Sequence, residues 1–220
     1  MDLKLESVAI VPRLSNRAAA ALGILWIAVV AAGFTALGRY KSTPADQDRP
    51  PARWPAESRI PGPAGRPTLL MFAHPRCPCT QATVSELGRL MAIMAGRVSA
   101  YVLMVEPEGV PADWARTGLA DRVSTVPGVT LLRDEGGREA ARFRALASGL
   151  TVLYSADGRR VFSGGITASR GHEGDSFGRR RLLAILDGRP IDRDESPVFG
   201  CTLGAGPPAP LHLEAQETHD

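Results

Sequence analysis

One uninterrupted apolar stretch constrains this chain more than any other feature. Residues 18–37 read AAAALGILWIAVVAAGFTAL, which is 20 positions without a charged side chain, bounded by Arg17 and Arg39. As an α-helix, a stretch of this length covers about 30 Å, the thickness of a bilayer's hydrocarbon core. A cleaved secretory signal has a shorter apolar region, about 7–15 residues, followed by a small-residue cleavage site. We therefore predict an N-terminal tail over 1–17 and an uncleaved transmembrane helix over 18–38.

A proline-rich segment follows the predicted helix. Residues 41–67 read KSTPADQDRPPARWPAESRIPGPAGRP. Repeated prolines exclude helix and central strand, and they extend the chain by about 3 Å per residue. We predict a linker over 39–67 that tethers a folded domain to the membrane. Trp54, within this linker, could pack on the domain or lie near the membrane interface.

From residue 68 to 203 short apolar runs alternate with helical periods, which indicates a folded domain. Strands are predicted at 68–73, 98–106, 129–132, 151–154 and 160–163, and helices at 79–95, 111–120, 138–146 and 175–186. The last two strands are joined by Asp157-Gly158, a strong hairpin signal. The pattern predicts an α/β domain whose parallel sheet is covered by helices and gains an antiparallel strand from the hairpin. The acidic tail over 204–220 has no periodicity, and we expect it to be disordered.

The three cysteines indicate a chemical role rather than a structural one. Their number is odd and too small for a disulfide-stapled scaffold. Cys77 and Cys79 are separated by one proline, whereas Cys201 lies in a loop flanked by Pro and Gly. The Cys-Pro-Cys motif falls where the first strand ends and the first helix begins, at the sheet edge where such folds collect their reaction sites. A helix N-terminus stabilises a thiolate, which is the reactive form of cysteine.

Several segments resemble a known group of proteins. The string LLMFAHPRCPC at 69–79, followed by a helix, resembles the strand, cysteine motif and helix of thioredoxin-like proteins, and so does the later succession of strand, Asp-Gly turn, strand and helix. The extra strand and helix over 129–146 are similar to those of membrane-tethered thiol-disulfide proteins and peroxiredoxins. Gly-Gly-Ile-Thr at 164–167 and Ser-Arg-Gly-His at 169–172 resemble a bacterial group labelled RedB. The resemblance covers residues 68–201.

The resemblance implies a thioredoxin-like sheet flanked by helices and preceded by one transmembrane helix. It also implies a membrane-anchored thiol-disulfide redox protein that exchanges with a protein thiol or disulfide. Two departures qualify this. The motif is C-x-C where the family has C-x-x-C, and Gly149-Leu150 stands where the family carries a cis-proline.

The redox hypothesis assigns catalysis to Cys77 and Cys79. Cys77 would attack a substrate disulfide or peroxide and Cys79 would resolve the product, or the two thiols would exchange these roles. A C-x-C disulfide closes a very small ring, so it would be strained and oxidising. Cys201 could be a resolving partner, an ordinary buried cysteine or a link to another chain. Arg170 and His172 precede the last helix, where they could support the dithiol, or Ser176 or Asp175 could simply cap that helix.

Two other functions stay open. Cys77, Cys79 and His74 form a soft ligand set suited to copper or zinc; without such a metal, no cofactor is expected. A tethered domain that binds a partner without turnover is the third possibility. No basic run interleaved with aromatic residues is present, so a nucleic-acid partner is not expected.

The side of the membrane on which the folded domain lies is predicted from the dithiol and the short N-terminal tail. Three basic residues precede the apolar stretch and four follow it closely, so the positive-inside rule does not choose a side. We expect a single-pass membrane protein with its domain on the periplasmic or another extracytoplasmic side.

Overall fold

The computed structural model describes residues 15–94, 96–111 and 113–204, and it divides the chain into two compact units, Met1–Tyr40 and Lys41–Asp220. Helix α1, Asn16–Ser42, is long and apolar enough to cross a membrane: an 18-residue window within it has a mean hydropathy of 2.2, and none of its residues is buried. Most of the tail predicted over 1–17 and nearly all of the tail predicted over 204–220 lie outside the described residues.

A six-stranded sheet organises the second unit. Its strands are β1 Thr68–Ala73, β2 Ser99–Glu106, β3 Val129–Glu135, β4 Thr151–Tyr154, β5 Arg160–Gly164 and β6 Glu195–Ser196. Their order in the sheet is β3-β2-β1-β4-β5-β6. β1, β2 and β3 run parallel, β4 is antiparallel to both β1 and β5, and β5 pairs in parallel with the short β6. This arrangement confirms the predicted mixed α/β sheet and its final hairpin.

Among the described residues, four helices accompany the sheet: α2 Pro78–Ile93, α3 Gly118–Ser124, α4 Arg138–Arg142 and α5 Phe177–Leu186. The helix predicted over 111–120 is wrong in position, because residues 113–115 form a turn and the helix begins only at Gly118. Leu119 and Val123, one helical turn apart, carry the apolar face of α3 into the core. α4 ends earlier than predicted, since Arg144 takes a positive φ of 52°.

The two faces of the sheet are covered in different ways. On one face α2, α3 and α5 pack against alternate residues of β1 and β2, including Leu69, Met71 and Val102. On the other face a smaller cluster around Phe72, Phe143 and Tyr154 is covered by α4 and by chain without regular secondary structure.

The predicted linker lies against the domain over much of its length. We call residues 41–60 the strap. Ala45 N–H donates to Val198 O at 2.8 Å, and Trp54 N–H donates to Gly158 O at 2.9 Å. The Trp54 ring packs edge-on against Phe143 and Tyr154, with both centroid distances at 5.2 Å. Trp54 therefore packs on the domain, which answers the question that the sequence left open.

Candidate active site

The end of β1 and the start of α2 position Cys77. All six residues of β1 are buried, so the strand is fixed up to Ala73. A turn follows in which Cys77 N–H donates to His74 O at 3.1 Å, and Pro78 opens α2. Cys77 is the residue before the helix, with extended backbone angles, and its exposed fraction is only 3%. The thiol therefore faces inward at the helix N-terminus, where the free N–H groups favour negative charge.

A segment close to the end of the described chain brings Cys201 to the same place. Ser148 N–H donates to Cys201 O at 2.8 Å, and Ala147 and Thr202 form an antiparallel bridge. The backbones approach so closely that a Cβ on Gly200 would lie 1.8 Å from Ser148 O. Only glycine fits there. As a result, Sγ of Cys201 lies 2.8 Å from Sγ of Cys77, and both cysteines are free thiols.

Ser148 holds the two sides of the site together. Its hydroxyl accepts from His74 N–H at 2.8 Å and shares a 2.6 Å hydrogen bond with the Thr80 hydroxyl. Ser148 and Thr80 are both buried, with exposed fractions of 0% and 1%. Satisfied polar groups at such depth fix one geometry, because breaking the network leaves a buried polar group without a partner.

The two facing thiols have very different acidities. The hydrogen bond from Cys201 lowers the pKa of Cys77 to about 4, helped by Thr80 and opposed by burial. The same hydrogen bond and burial raise the pKa of Cys201, together with the negative charge of Cys77. These opposite shifts favour, near neutral pH, a thiolate on Cys77 that accepts a hydrogen bond from the neutral thiol of Cys201.

Cys79 differs from both. Burial, followed by the charge on Cys77, raises the pKa of Cys79, while the charge and hydrogen bond of Arg170 act in the opposite direction. The Arg170 guanidinium therefore lies against Cys79. Arg170 Nη1 also donates to Gly200 O, beside Cys201. The predicted supporting arginine is thus brought to the thiols.

The two predicted histidines have different surroundings. His74 Nδ1 accepts from Arg76 N–H at 3.1 Å, and its ring meets Trp114 edge-on at 5.6 Å. Burial lowers the pKa of His74, which keeps it neutral near neutral pH. His172 is exposed, and its backbone N–H donates to Ser169 O. His74 therefore belongs to the site, whereas no described contact links His172 to a cysteine.

A metal ion does not fit the facing cysteines as they are arranged. Zinc–thiolate bonds are about 2.3 Å long, so two thiolates on one tetrahedral ion lie about 3.8 Å apart. The sulfurs of Cys77 and Cys201, at 2.8 Å, face each other instead. Within the described part of the chain, no group of three or more His, Cys, Asp or Glu side chains could hold an ion. Metal binding by Cys77, Cys79 and His74 would need the thiol pair to open.

An apolar groove of about 680 Å³ opens beside the thiols. Its lining includes His74 and Trp114, together with Leu146, Thr202 and Leu203. The Arg76 guanidinium lies 4.8 Å from the centre of the Trp114 ring, which keeps a positive charge near the rim. The groove reaches the site through His74 and through Thr202, the residue after Cys201, while the cysteines themselves are not among its lining residues.

The sequence reasoning missed Thr80, Ser148 and Gly200. Thr80 is the third residue after Cys77, which precedes the first turn of α2. Contacts between residues at these two positions are common at helix N-termini, so Thr80 could have been found from the sequence. Ser148 and Gly200 carry no local signal, because their roles arise from a backbone contact between segments about 50 residues apart in sequence.

Comparison with solved structures places this fold among known ones. An uncharacterized conserved protein from Geobacillus kaustophilus is 22% identical with a TM-score of 0.54, covering 76% of this chain and 95% of that one. A hypothetical protein from Sinorhizobium meliloti is 18% identical with a TM-score of 0.55, covering 76% and 99%. A secreted disulfide oxidoreductase from Mycobacterium tuberculosis is 19% identical with a TM-score of 0.41, covering 57% and 84%.

These likenesses bear on the fold and not on the reaction. The mixed sheet with its flanking helices agrees with the α/β sheet that the sequence predicted. No protein-family model matches the chain, and no curated protein does either.

Proposed function

We propose that this protein is a membrane-anchored, thioredoxin-like thiol-disulfide oxidoreductase in which Cys77 attacks and Cys201 resolves. One observation carries the proposal, namely the 2.8 Å approach of the two sulfurs at the helix N-terminus. Disulfide bonds are about 2.05 Å long, so closure needs a movement of less than 1 Å.

Cys201 suits the resolving role better than Cys79 does. Residues two apart at the start of a helix point to different sides and do not face each other. Cys79 lies in the first turn of α2, two residues after Cys77, and Arg170 lies against its thiol. Cys201 already points at Cys77 from a pinned backbone. Cys79 is then a third thiol beside the reacting pair.

The chemistry follows from the charge state of the pair. The Cys77 thiolate attacks one sulfur of a substrate disulfide, which forms a mixed disulfide and releases one substrate thiolate. Cys201 gives its proton to that thiolate, attacks Sγ of Cys77 and releases the second substrate thiolate. Two electrons pass from the cysteine pair to the substrate, and the reverse sequence oxidises a substrate dithiol.

The acidity of Cys77 favours the oxidising direction. A lowered pKa of Cys77 stabilises the reduced pair. A stabilised reduced form makes the corresponding disulfide a stronger oxidant. This agrees with an extracytoplasmic domain, since disulfides form and persist in oxidising compartments. Helix α1 would anchor the domain there, and the resemblance to the RedB group supports a bacterial redox protein of this type.

Single-turnover reaction of the reduced full chain in detergent, mixed with a disulfide-containing peptide, tests the assignment. Mass spectrometry follows the products. With the peptide in large excess, which offsets the oxidising bias of the pair, we expect the natural chain to reduce about one equivalent of peptide without a lasting adduct, and Cys77→Ser to be inactive. Cys201→Ser should stall with the peptide bound to Cys77, because no thiol faces the mixed disulfide. Cys79→Ser is the matched control and should react as the natural chain does.

Two outcomes would contradict the proposal. If Cys79→Ser stalls and Cys201→Ser turns over, the resolving thiol is Cys79. If the purified chain reacts with no disulfide, and its thiols become accessible only after a copper or zinc chelator is added, metal handling replaces redox chemistry.

A further inference from the structure

The chain just after Cys201 forms the edge of a short antiparallel ladder. Ser148 N–H donates to Cys201 O, and Leu203 N–H donates to Leu146 O, each at 2.8 Å. Successive residues of an extended strand point their backbone polar groups to opposite sides. The N–H and C=O of Thr202 therefore point away from the partner segment. Across the ranges that the structure describes, no hydrogen bond reaches either group, and Thr202 is exposed.

An open strand edge of this kind is a template for a further polypeptide strand. In strand addition, main-chain hydrogen bonds supply affinity, and pockets for alternate side chains supply specificity. This edge lies beside the reacting pair, because Thr202 directly follows Cys201, whose sulfur is 2.8 Å from the sulfur of Cys77. A cysteine carried by an added strand would therefore arrive close to the attacking thiolate.

The same segment forms one wall of the apolar groove. Thr202, Leu203 and Gly204 line it on one side, and Trp114 and Leu146 are among the apolar residues that complete the lining. A volume of about 680 Å³ is ordinary for a ligand pocket. Side chains two residues apart lie on the same face of a strand. In an added strand, the apolar side chains that enter this groove would thus stand two residues from the cysteine.

The charges around the groove favour an acidic partner. His74 in the lining stays neutral near neutral pH, because burial lowers its pKa. The carboxylate of Glu106, also in the lining, accepts from Arg133 at 2.8 and 2.6 Å. The Arg76 guanidinium, which stacks on Trp114, is exposed and forms no ion pair with a described residue. A carboxylate in the docked segment would complement this positive charge.

We propose that the backbone edge at Thr202 and the apolar groove dock the substrate as an added strand. The substrate is then an extended polypeptide segment that carries its cysteine two residues from an apolar side chain, with an acidic residue nearby. A cysteine within a helix is a poor substrate, because a helix uses its own backbone groups internally. This inference rests on the proposed function, since the added strand delivers its sulfur to Cys77.

Two peptides of equal composition test the spacing. Each is a homodimer joined through its cysteine, so that attack on either sulfur leaves one copy on Cys77. The first has the core Leu-Ala-Cys-Ala-Leu, and the second has the core Ala-Leu-Cys-Leu-Ala. Single-turnover rates with the reduced full chain in detergent are divided by the rate with hydroxyethyl disulfide, which reports the thiol pair alone. We expect this ratio to be about tenfold higher for the first peptide, the factor that burial of a leucine gives.

Methylation of peptide nitrogens tests for the added strand without changing the protein. One version of the first peptide is methylated on both alanines, and the other on the cysteine and both leucines. Because alternate N–H groups face the same side, only one version should lose rate, by about 2- to 12-fold for each hydrogen bond lost.

The matching change in the protein is Thr202→Pro. It removes the outward N–H, a position where an edge strand accepts proline, and it breaks no hydrogen bond among the described residues. The ratio for the first peptide should fall by the same factor. Thr202→Ala, which keeps the N–H, should retain most of it.

A third comparison concerns the charge. Glutamates at both ends of the first peptide should raise its rate several-fold over lysines at the same positions, and Arg76→Gln should close this gap. Arg122→Gln is the matched control, because Arg122 is exposed on α3 and does not line the groove. It should leave the gap as it is.

Equal ratios for the two cores, or an equal loss from both methylated versions, would overturn the docking. A preference that appears only when the chain is ended at Gly204 would assign the groove to the protein's own residues 205–220, and would also overturn it. If neither the peptides nor hydroxyethyl disulfide reacts, the proposed function fails. Fluorescent analogues with serine in place of cysteine still test the docking: tighter binding of the first core supports it, and equal affinities overturn it.

Discussion

Gly200→Ala should weaken the Cys77–Cys201 disulfide without removing either thiol. The added Cβ would lie 1.8 Å from Ser148 O and 2.8 Å from the Ser148 carbonyl carbon. Ordinary contact begins near 3.4 Å, so the two backbones must separate by about 1.6 Å. Overpacking of this kind costs about 1–3 kcal/mol. Because Cys201 is the next residue, its sulfur should move away from Cys77.

The expected magnitude follows from that cost. If the whole penalty falls on the closed pair, the equilibrium constant for forming the disulfide in a glutathione buffer drops about 5- to 150-fold, since about 1.4 kcal/mol corresponds to a factor of ten. Mass tags on free thiols, counted across a series of glutathione ratios, measure this constant. On that assumption the reduced chain, whose backbones are free to separate, should lose much less of its free energy of unfolding.

Gly118→Ala is the matched control for this change. No atom lies within 4 Å of a Cβ added at Gly118, which opens α3. The same methyl group should therefore leave the disulfide equilibrium unchanged. The reasoning is refuted if Gly200→Ala forms the disulfide as readily as the natural chain while both variants remain folded.

Three further predictions concern the thiolate and the core. The lowered pKa of Cys77 predicts that its thiolate persists as the pH falls from 9 toward about 4, whereas an ordinary thiol would be about 1% thiolate at neutral pH. Carbon NMR of labelled cysteine should show that Cys201→Ala raises this pKa and that Cys201→Ser, which keeps a hydrogen-bond donor, raises it less. Trp54→Ala should lower the free energy of unfolding by about 2–4 kcal/mol, because the ring packs into the smaller core cluster against Phe143. Phe177→Ala, at an exposed position, should change it by less than about 0.5 kcal/mol, and urea titrations measure both values. Ser148→Ala should cost about 1–3 kcal/mol in the same titrations, since His74 N–H and the Thr80 hydroxyl lose their buried partner.

The sequence predicted the sheet well because strand signals are local. β1 and β4 occupy the predicted residues, and the Asp157-Gly158 turn joins β4 to β5 as expected. Ser176 caps α5, since its side chain accepts from Arg179 N–H, as one of the sequence alternatives proposed. The two-residue β6 gave no signal, because alternation cannot be recognised over so short a run.

The contacts across the site could not be read from local patterns. Cys77 and Cys201 are 124 positions apart, and backbone contacts between residues 146–148 and 201–203 bring the second thiol to the first. The packing of the strap on the domain could not be predicted for a related reason. Prolines correctly exclude regular structure over 41–60, but they do not determine whether such a chain extends into solvent or packs on a sheet. Trp54 and Ile60 were the two large apolar residues there whose side chains favoured burial.

The connectivity of the disulfide tests the central claim most directly. The full-length chain is oxidised in a glutathione buffer, its remaining free thiols are blocked, and the peptides are mapped by fragmentation mass spectrometry. We predict that Cys77 is joined to Cys201 while Cys79 carries the blocking group, as the 2.8 Å approach of the first two sulfurs requires. A disulfide between Cys77 and Cys79, with Cys201 blocked, would contradict the account.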